Sequence, residues 1–171
     1  MAVATYDVRT LTVKGLTVKG KNGYGHAECV LAKAQQLGCD VIGLQETRRS
    51  GKTESSAAEY RVFCSGQVET EGRQGLYGVR LAVKESICRK SVYTNQLIDE
   101  RLMSMRFELT GECAAVNLVV VYAPTEASPS AEVKEVFWQK FGHLVKPIPL
   151  FFDGRIFPLL GDFSRAPHID K

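Results

Sequence analysis

Asp40-Val41-Ile42-Gly43-Leu44-Gln45-Glu46-Thr47 sets a short apolar run directly before a carboxylate. Val41, Ile42 and Leu44 suit a strand buried on both faces. An ionised group at the end of such a strand is costly unless it stands at the rim, paired or bound to a cation. Two other strand-like runs end in the same way: Asn117 to Val121 leads to Tyr122, and Phe157 to Leu160 leads to Asp162. Three polar side chains are therefore expected to converge on one rim.

Working outward, His26 to Leu37 has helical spacing, with Val30, Leu31, Ala34 and Leu37 on one face and Gly38 placed as the C′ residue. Val3 to Val8 reads as an earlier strand ending near Asp7. Strand, crossover helix and strand make a βαβ-like opening, which favours an α/β layered domain. The duplicated Leu-Thr-Val-Lys-Gly at Leu11 to Gly20 is far shorter than the ~20 residues of a solenoid repeat, and reads as a lengthened loop.

Beyond Glu46, the stretch Thr47 to Ala58 reads as a polar loop. Strands are expected at Tyr60 to Cys64, Val79 to Val83, Ser91 to Gln96, Leu102 to Glu108 and Ala115 to Tyr122, in a mainly antiparallel sheet with short turns. Ser128 and Pro129 form an N-cap and N1 pair opening a helix to about Val145. Its apolar stripe is Val133, Val136, Phe137, Phe141 and Leu144, with Trp138 at the border. Pro147, Pro149 and Pro158 bracket an irregular connection before the last strand.

The 171 residues, 44% hydrophobic, suffice for one domain with a real core. A net charge of +3 and a pI near 8.6 permit a nucleic-acid partner without requiring one. Five cysteines without a C-x-x-C pair argue for a reducing compartment and against a disulfide framework or zinc site. The opening residues lack a signal-peptide pattern, and no run approaches the ~20 apolar residues of a membrane helix. The expectation is an intracellular protein, nuclear or cytoplasmic, with no membrane and no specific protein partner.

Glu46 and Asp162 are hard oxygen donors at strand ends, and such pairs suit Mg²⁺ or Mn²⁺. A bound ion relieves their repulsion, polarises a phosphoryl oxygen and positions water, while Tyr122 offers a hydroxyl to phosphate. The plainer reading of each residue alone is a solvated strand-end charge or a core tyrosine with a satisfied hydroxyl.

Tyr6-Asp7-Val8-Arg9-Thr10-Leu11, Gly43-Leu44-Gln45-Glu46-Thr47-Arg48, Val121-Tyr122-Ala123-Pro124-Thr125 and Leu160-Gly161-Asp162-Phe163-Ser164 follow one another in this order. They resemble the successive motifs of the endonuclease/exonuclease/phosphatase family. Together with Ile98-Asp99-Glu100-Arg101-Leu102 and Val136-Phe137-Trp138, they most resemble the endonuclease domain of non-LTR retrotransposons and the craniofacial-development-type proteins related to it. The resemblance implies a four-layer αββα sandwich that cuts phosphodiester bonds in DNA with a divalent metal. It makes Glu46, with Asp7 beside it, the metal site, Tyr122 the phosphate-site tyrosine and Asp162 the residue that orients or activates the nucleophile. Ser164, Arg101 and Arg48 become substrate-binding residues.

The chain also departs from that pattern. Asp7 stands where the family carries Asn, and Ser164 where it carries a second Asn, so amide donors are lost and a charge is added near Glu46. The family's later motifs, closing with an Asp-His pair, are absent before Lys171, and His168 with Asp170 follow Asp162 too closely to serve as that pair. The resemblance therefore implies an incomplete second half, an exposed apolar face through which copies self-associate, and weak or lost catalysis. The alternatives are a non-catalytic nucleic-acid-binding remnant, or a phosphatase or lipid phosphodiesterase on the same fold.

Overall fold

The computed structural model describes residues 1–7, 25–48, 51–67, 77–109, 115–125, 130–146 and 159–162. In chain order these form β1 (Val3–Asp7), α1 (Gly25–Gln36), β2 (Val41–Gln45), β3 (Lys52–Ala57), β4 (Tyr60–Gly66) and β5 (Gly78–Lys84). There follow α2 (Glu85–Cys88), β6 (Ser91–Asp99), β7 (Leu102–Leu109), β8 (Ala115–Tyr122), α3 (Ala131–Val145) and β9 (Leu159–Asp162). One sheet has the order β1-β2-β5-β4-β3 and the other β6-β7-β8-β9. The pairs β1/β2 and β8/β9 are parallel and the rest antiparallel.

Alternation along the strands sets the layers. Val79, Leu81 and Val83 of β5 face inward against Met103, Met105, Phe107, Leu118, Val120 and Leu160 of the second sheet. On the outer face of the first sheet, Ile42, Leu44, Val62 and Ala82 pack against Leu31 and Ala34 of α1. On the outer face of the second, Leu102, Val119 and Val121 pack under Phe137, Trp138, Phe141 and Leu144 of α3. The result is a helix, two sheets and a helix, the four-layer α+β arrangement the motifs imply.

The βαβ opening is as expected, and Gly38 closes α1 with φ of 71°. The Cys39 N–H donates to the Ala34 carbonyl and the Gly38 N–H to the Gln35 carbonyl, both at 3.0 Å, a Schellman closure. Other expectations need correction. The polar stretch taken as a loop contains β3, an exposed edge strand whose ladder to β4 holds Lys52 to Ala57 in place. Its side chains are mostly solvated, so no apolar alternation announced it. The predicted mainly antiparallel sheet is divided between both sheets, and the short α2 makes the transition between them.

Ser130 caps α3, its hydroxyl accepting from the Val133 N–H at 3.4 Å, whereas Ser128 and Pro129 lie outside the described residues. Phe137, Phe141 and Leu144 of the expected stripe face the second sheet, but the edge of the stripe differs. Val133 and Val136 are 41% and 44% exposed, and the bulky Trp138 takes an inward place. Turning Trp138 in removes more apolar area from water than either valine offers. The duplicated lysine loop and the Pro147 to Pro158 connection lie outside the described residues.

Two contacts set how closely the sheets approach. A Cβ added at Gly43 would lie 2.7 Å from the Cβ of Leu160, so only glycine lets β2 and β9 meet at this point. Beside it Gln45, 1% exposed, donates from Nε2 to the Leu160 carbonyl at 3.3 Å and to Thr5 Oγ1 at 3.0 Å. At the other rim Arg61 forks onto Glu85 at 3.0 and 2.7 Å and donates to the Tyr93 hydroxyl at 2.6 Å, tying β4 and α2 to β6. At the start of β2, Asp40 accepts from the Ala2 N–H at 2.8 Å and from Lys84 Nζ at 2.9 Å.

Two outcomes follow. Gly43→Ala pushes the sheets apart and costs about 1–3 kcal/mol, read from the urea midpoint; an unchanged midpoint would sink the close-packing argument. The second concerns Asp40, whose carboxyl is held below its ordinary 3.8 by the Ala2 N–H first and by Lys84 next. A carboxylate with a depressed folded value adds stability above its unfolded value and loses it as pH falls through the folded one. Asp40→Asn is therefore less stable than the parent at neutral pH, and the gap closes below about pH 4. Urea titrations of both proteins across that range check it.

Candidate functional site

β2 ends in a turn that the backbone resists. Glu46 and Arg48 have φ of 56° and 47°, in the left-handed region where a side chain costs about 1–2 kcal/mol per residue. Thr47 between them is buried, and its N–H donates to the Gly78 carbonyl at 2.9 Å, pinning the turn to β5. The Glu46 side chain is 18% exposed and accepts from Arg48 Nη2 at 3.2 Å. Among the described residues, Thr47 Oγ1 and Arg48 Nε are buried without a hydrogen-bond partner. Strain and unsatisfied donors gathered at one turn make it the candidate site.

Register brings the other strand ends to this turn. Asp7 pairs with Gln45, one residue before Glu46, and Asp162 pairs with Tyr122. Gly43 and Gln45 both touch Leu160, while Val41 at the far end of β2 lines a cavity with Val116 and Leu118 at the start of β8. β2 and β8 therefore run in the same sense across the sandwich. The backbones of Asp7, Glu46, Tyr122 and Asp162 come to one edge, where the two sheets meet. The side chains of Asp7 and Asp162 lie outside the description, as do Ser164, His168 and Asp170 altogether. His143 is exposed on the last turn of α3.

Among the described residues no group of three His, Cys, Asp or Glu side chains converges to hold a metal ion. The chemistry of the edge nonetheless fits one. Glu46 offers a hard carboxylate oxygen beside two strand ends that carry Asp, and Mg²⁺ takes one or two carboxylates while keeping several waters. The cavity with Val41, of about 420 Å³, is lined chiefly by apolar side chains and lies at the opposite end from this edge.

The substrate-binding candidates are placed differently from one another. Arg48 turns onto Glu46. Arg101 is 7% exposed and donates from Nη1 to the Tyr122 carbonyl at 3.3 Å. Its guanidinium carbon lies 3.8 Å from the ring centre of Tyr77 and 5.2 Å from that of Tyr122. Sequence reasoning passed over Tyr77. The available signal was its position immediately before β5, the strand that pairs with β2.

No family model matches this chain. Craniofacial development protein 2 from Bos taurus is 25% identical over 125 residues, which make up 73% of this chain and 20% of that protein. Among solved structures, a humanized D. rerio TDP2 is similar with a TM-score of 0.49 and 13% identity, over 80% of this chain and 57% of that one. The endonuclease domain of TRAS1, a telomere-specific non-LTR retrotransposon, is similar with a TM-score of 0.47 and 15% identity, over 78% and 51%. The chain spans a fifth of the length of the curated relative and about half of each of these solved structures. The expected resemblance to craniofacial-development-type proteins recurs among the curated relatives.

The left-handed turn makes its own test. Glu46→Gly and Glu46→Ala both remove the carboxylate, but only glycine removes the strain. The glycine variant should be the more stable by ~1 kcal/mol. Equal urea midpoints for the pair would mean that Glu46 is not held in a costly conformation.

Proposed function

We propose that this chain is a divalent-metal-dependent phosphodiesterase of the endonuclease type, acting on DNA with slow turnover. The observation that carries the reading is the strained Glu46 turn at the junction of the sheets, with the backbones of Tyr122 and Asp162 on the same edge. Glu46, with Asp7 beside it in the sequence pattern, would hold Mg²⁺ or Mn²⁺. When bound, the ion supplies positive charge that polarises a phosphoryl oxygen and stabilises the leaving oxygen. Asp162 orients and deprotonates the attacking water, and the Tyr122 hydroxyl holds a phosphate oxygen. Arg48, now paired with Glu46, would be the residue to meet the phosphate backbone were that carboxylate to hold the metal.

The slowness follows from the substitutions. Asp7 adds a third negative charge where the motif carries an amide, and Ser164 is too short to reach as an amide does. The reading of a common origin with the retrotransposon endonucleases rests on the sequence motifs, which the likeness to craniofacial development protein 2 accompanies. One observation favours a second reading, a nucleic-acid-binding module without turnover: Glu46 is already paired with Arg48 at 3.2 Å, which leaves a metal to compete for it.

Supercoiled plasmid separates the two. The expected result is slow nicking that needs Mg²⁺, stops with chelator and falls to background in Glu46→Ala. Salt-sensitive DNA binding with no metal-dependent nicking would replace the first reading by the second. Arg48→Met, which removes the competing cation, should tighten Mg²⁺ binding roughly two- to five-fold, the equivalent of ~0.5–1 kcal/mol for a partly exposed ion pair. Calorimetric titration with Mg²⁺ measures that change.

A further inference from the structure

Arg101 is a buried cation held against two aromatic rings. It is 7% exposed, and its guanidinium donates to the Tyr122 carbonyl. Asp99, two positions earlier, is spoken for: one oxygen accepts from the Arg101 backbone N–H at 2.9 Å and the other from Lys140 Nζ at 2.8 Å. Burying a charge is expensive, and an apolar side chain of similar volume would be cheaper at such a position. What offsets the cost is aromatic. The guanidinium lies over the Tyr77 ring at 3.8 Å and faces the Tyr122 ring at 5.2 Å, the two rings standing 6.1 Å apart and tilted by 49°.

The same side chain also holds the Tyr122 backbone. Arg101 Nη1 donates to the Tyr122 carbonyl at 3.3 Å, and the Tyr122 N–H donates to the Arg101 carbonyl at 2.8 Å. Residue 122 is thus gripped at its N–H, its carbonyl and its ring by one neighbour. Only the first grip comes from the backbone, which any residue at 101 would provide. The carbonyl and ring contacts need a planar cation with several donors, which arginine has and lysine lacks.

Tyr77 anchors this cation from the other sheet. Its neighbour Gly78 accepts the Thr47 N–H at 2.9 Å, and Thr47 follows Glu46. A continuous path of contacts therefore runs from Tyr122 through Arg101, Tyr77 and Gly78 to the Glu46 turn. We infer that Arg101, anchored by Tyr77, is a positioning residue that fixes the ring of Tyr122 and so the place of its hydroxyl relative to Glu46. Its effect on catalysis rests on the phosphodiesterase reading, whereas the positioning itself does not.

The test uses the full chain with ¹³C-ring-labelled tyrosine, the Tyr122 signal being assigned with Tyr122→Phe. Arg101→Met should shift the Tyr122 ring signal and speed its flipping while the amide spectrum stays dispersed. Tyr77→Leu should reproduce part of that change, and Tyr77→Phe, which keeps the aromatic face, should not. In the nicking assay, Arg101→Met should lower kcat by up to ~100-fold with little change in KM, as a misplaced reacting group does. A folded Arg101→Met protein with an unmoved Tyr122 signal overturns the inference. If Arg101→Met does not fold, Arg101→Lys decides: it keeps the charge but not the plane, and a Tyr122 signal like the parent's overturns the inference too. Should the parent fail to nick DNA, the phosphodiesterase reading falls while the ring measurement still decides the positioning role.

Discussion

The close approach of Gly43 to Leu160 is the contact on which the site depends. Sheets in a sandwich ordinarily stand ~10 Å apart, spaced by interleaved side chains. At this point the first sheet contributes no side chain, and a Cβ would stand 2.7 Å from that of Leu160. The sheets draw together locally, and Gln45 fills the adjoining space with an amide that satisfies the Leu160 carbonyl and Thr5. That amide links β1, β2 and β9, the strands whose ends carry Asp7, Glu46 and Asp162. A wider gap would leave the same residues on the same strands but too far apart to share a substrate.

The charges at this edge are arranged for exchange rather than for rest. Glu46 is held in a costly backbone conformation, and its partner Arg48 is in one as well. Their ion pair is partly exposed, so its strength is modest and a divalent cation, with twice the charge, competes well for the carboxylate. The other ion pairs do ordinary structural work. Arg61 with Glu85 and Lys84 with Asp40 join elements in relaxed geometry, and the Glu85 carboxyl is held below its ordinary value by Arg61 in the way a stable pair requires. Strain at one pair and its absence at the others separates the site from the scaffold.

Much of this was legible in the residues. The buried run before Glu46, the Gly38 helix end and the strands β5 and β8 all follow from period and from turn chemistry. So did the idea that several strand ends share a rim. What escaped was whatever depends on a partner element. β3 is polar on its exposed side chains and exists because β4 offers it a ladder. The inward face of α3 turns on which of Trp138 and Val136 gains more from burial, a choice set by the second sheet. Tyr77 drew no reading, because nothing in its own neighbourhood announces that Arg101, from the other sheet, will lie against it. The role of Gly43 was equally silent, because it lies in Leu160, 117 positions later in the chain.

The two ends of the sandwich are also held differently, and this bears on function. At the Glu46 edge the sheets touch through Gly43, Gln45 and the Arg101 stack. At the other end a cavity of about 420 Å³ opens beside Met1, Asp40 and Ile87, closed by ion pairs that are partly solvated. Side chains lining a void lose dispersion contacts on one side, so that end is the easier to open. Fluctuations of the sandwich are thereby directed toward the cavity and away from the Glu46 edge. The proposed phosphodiesterase site, in which Tyr122 would hold phosphate and Glu46 a metal, would need this asymmetry, because its geometry would have to persist while the rest of the domain breathes.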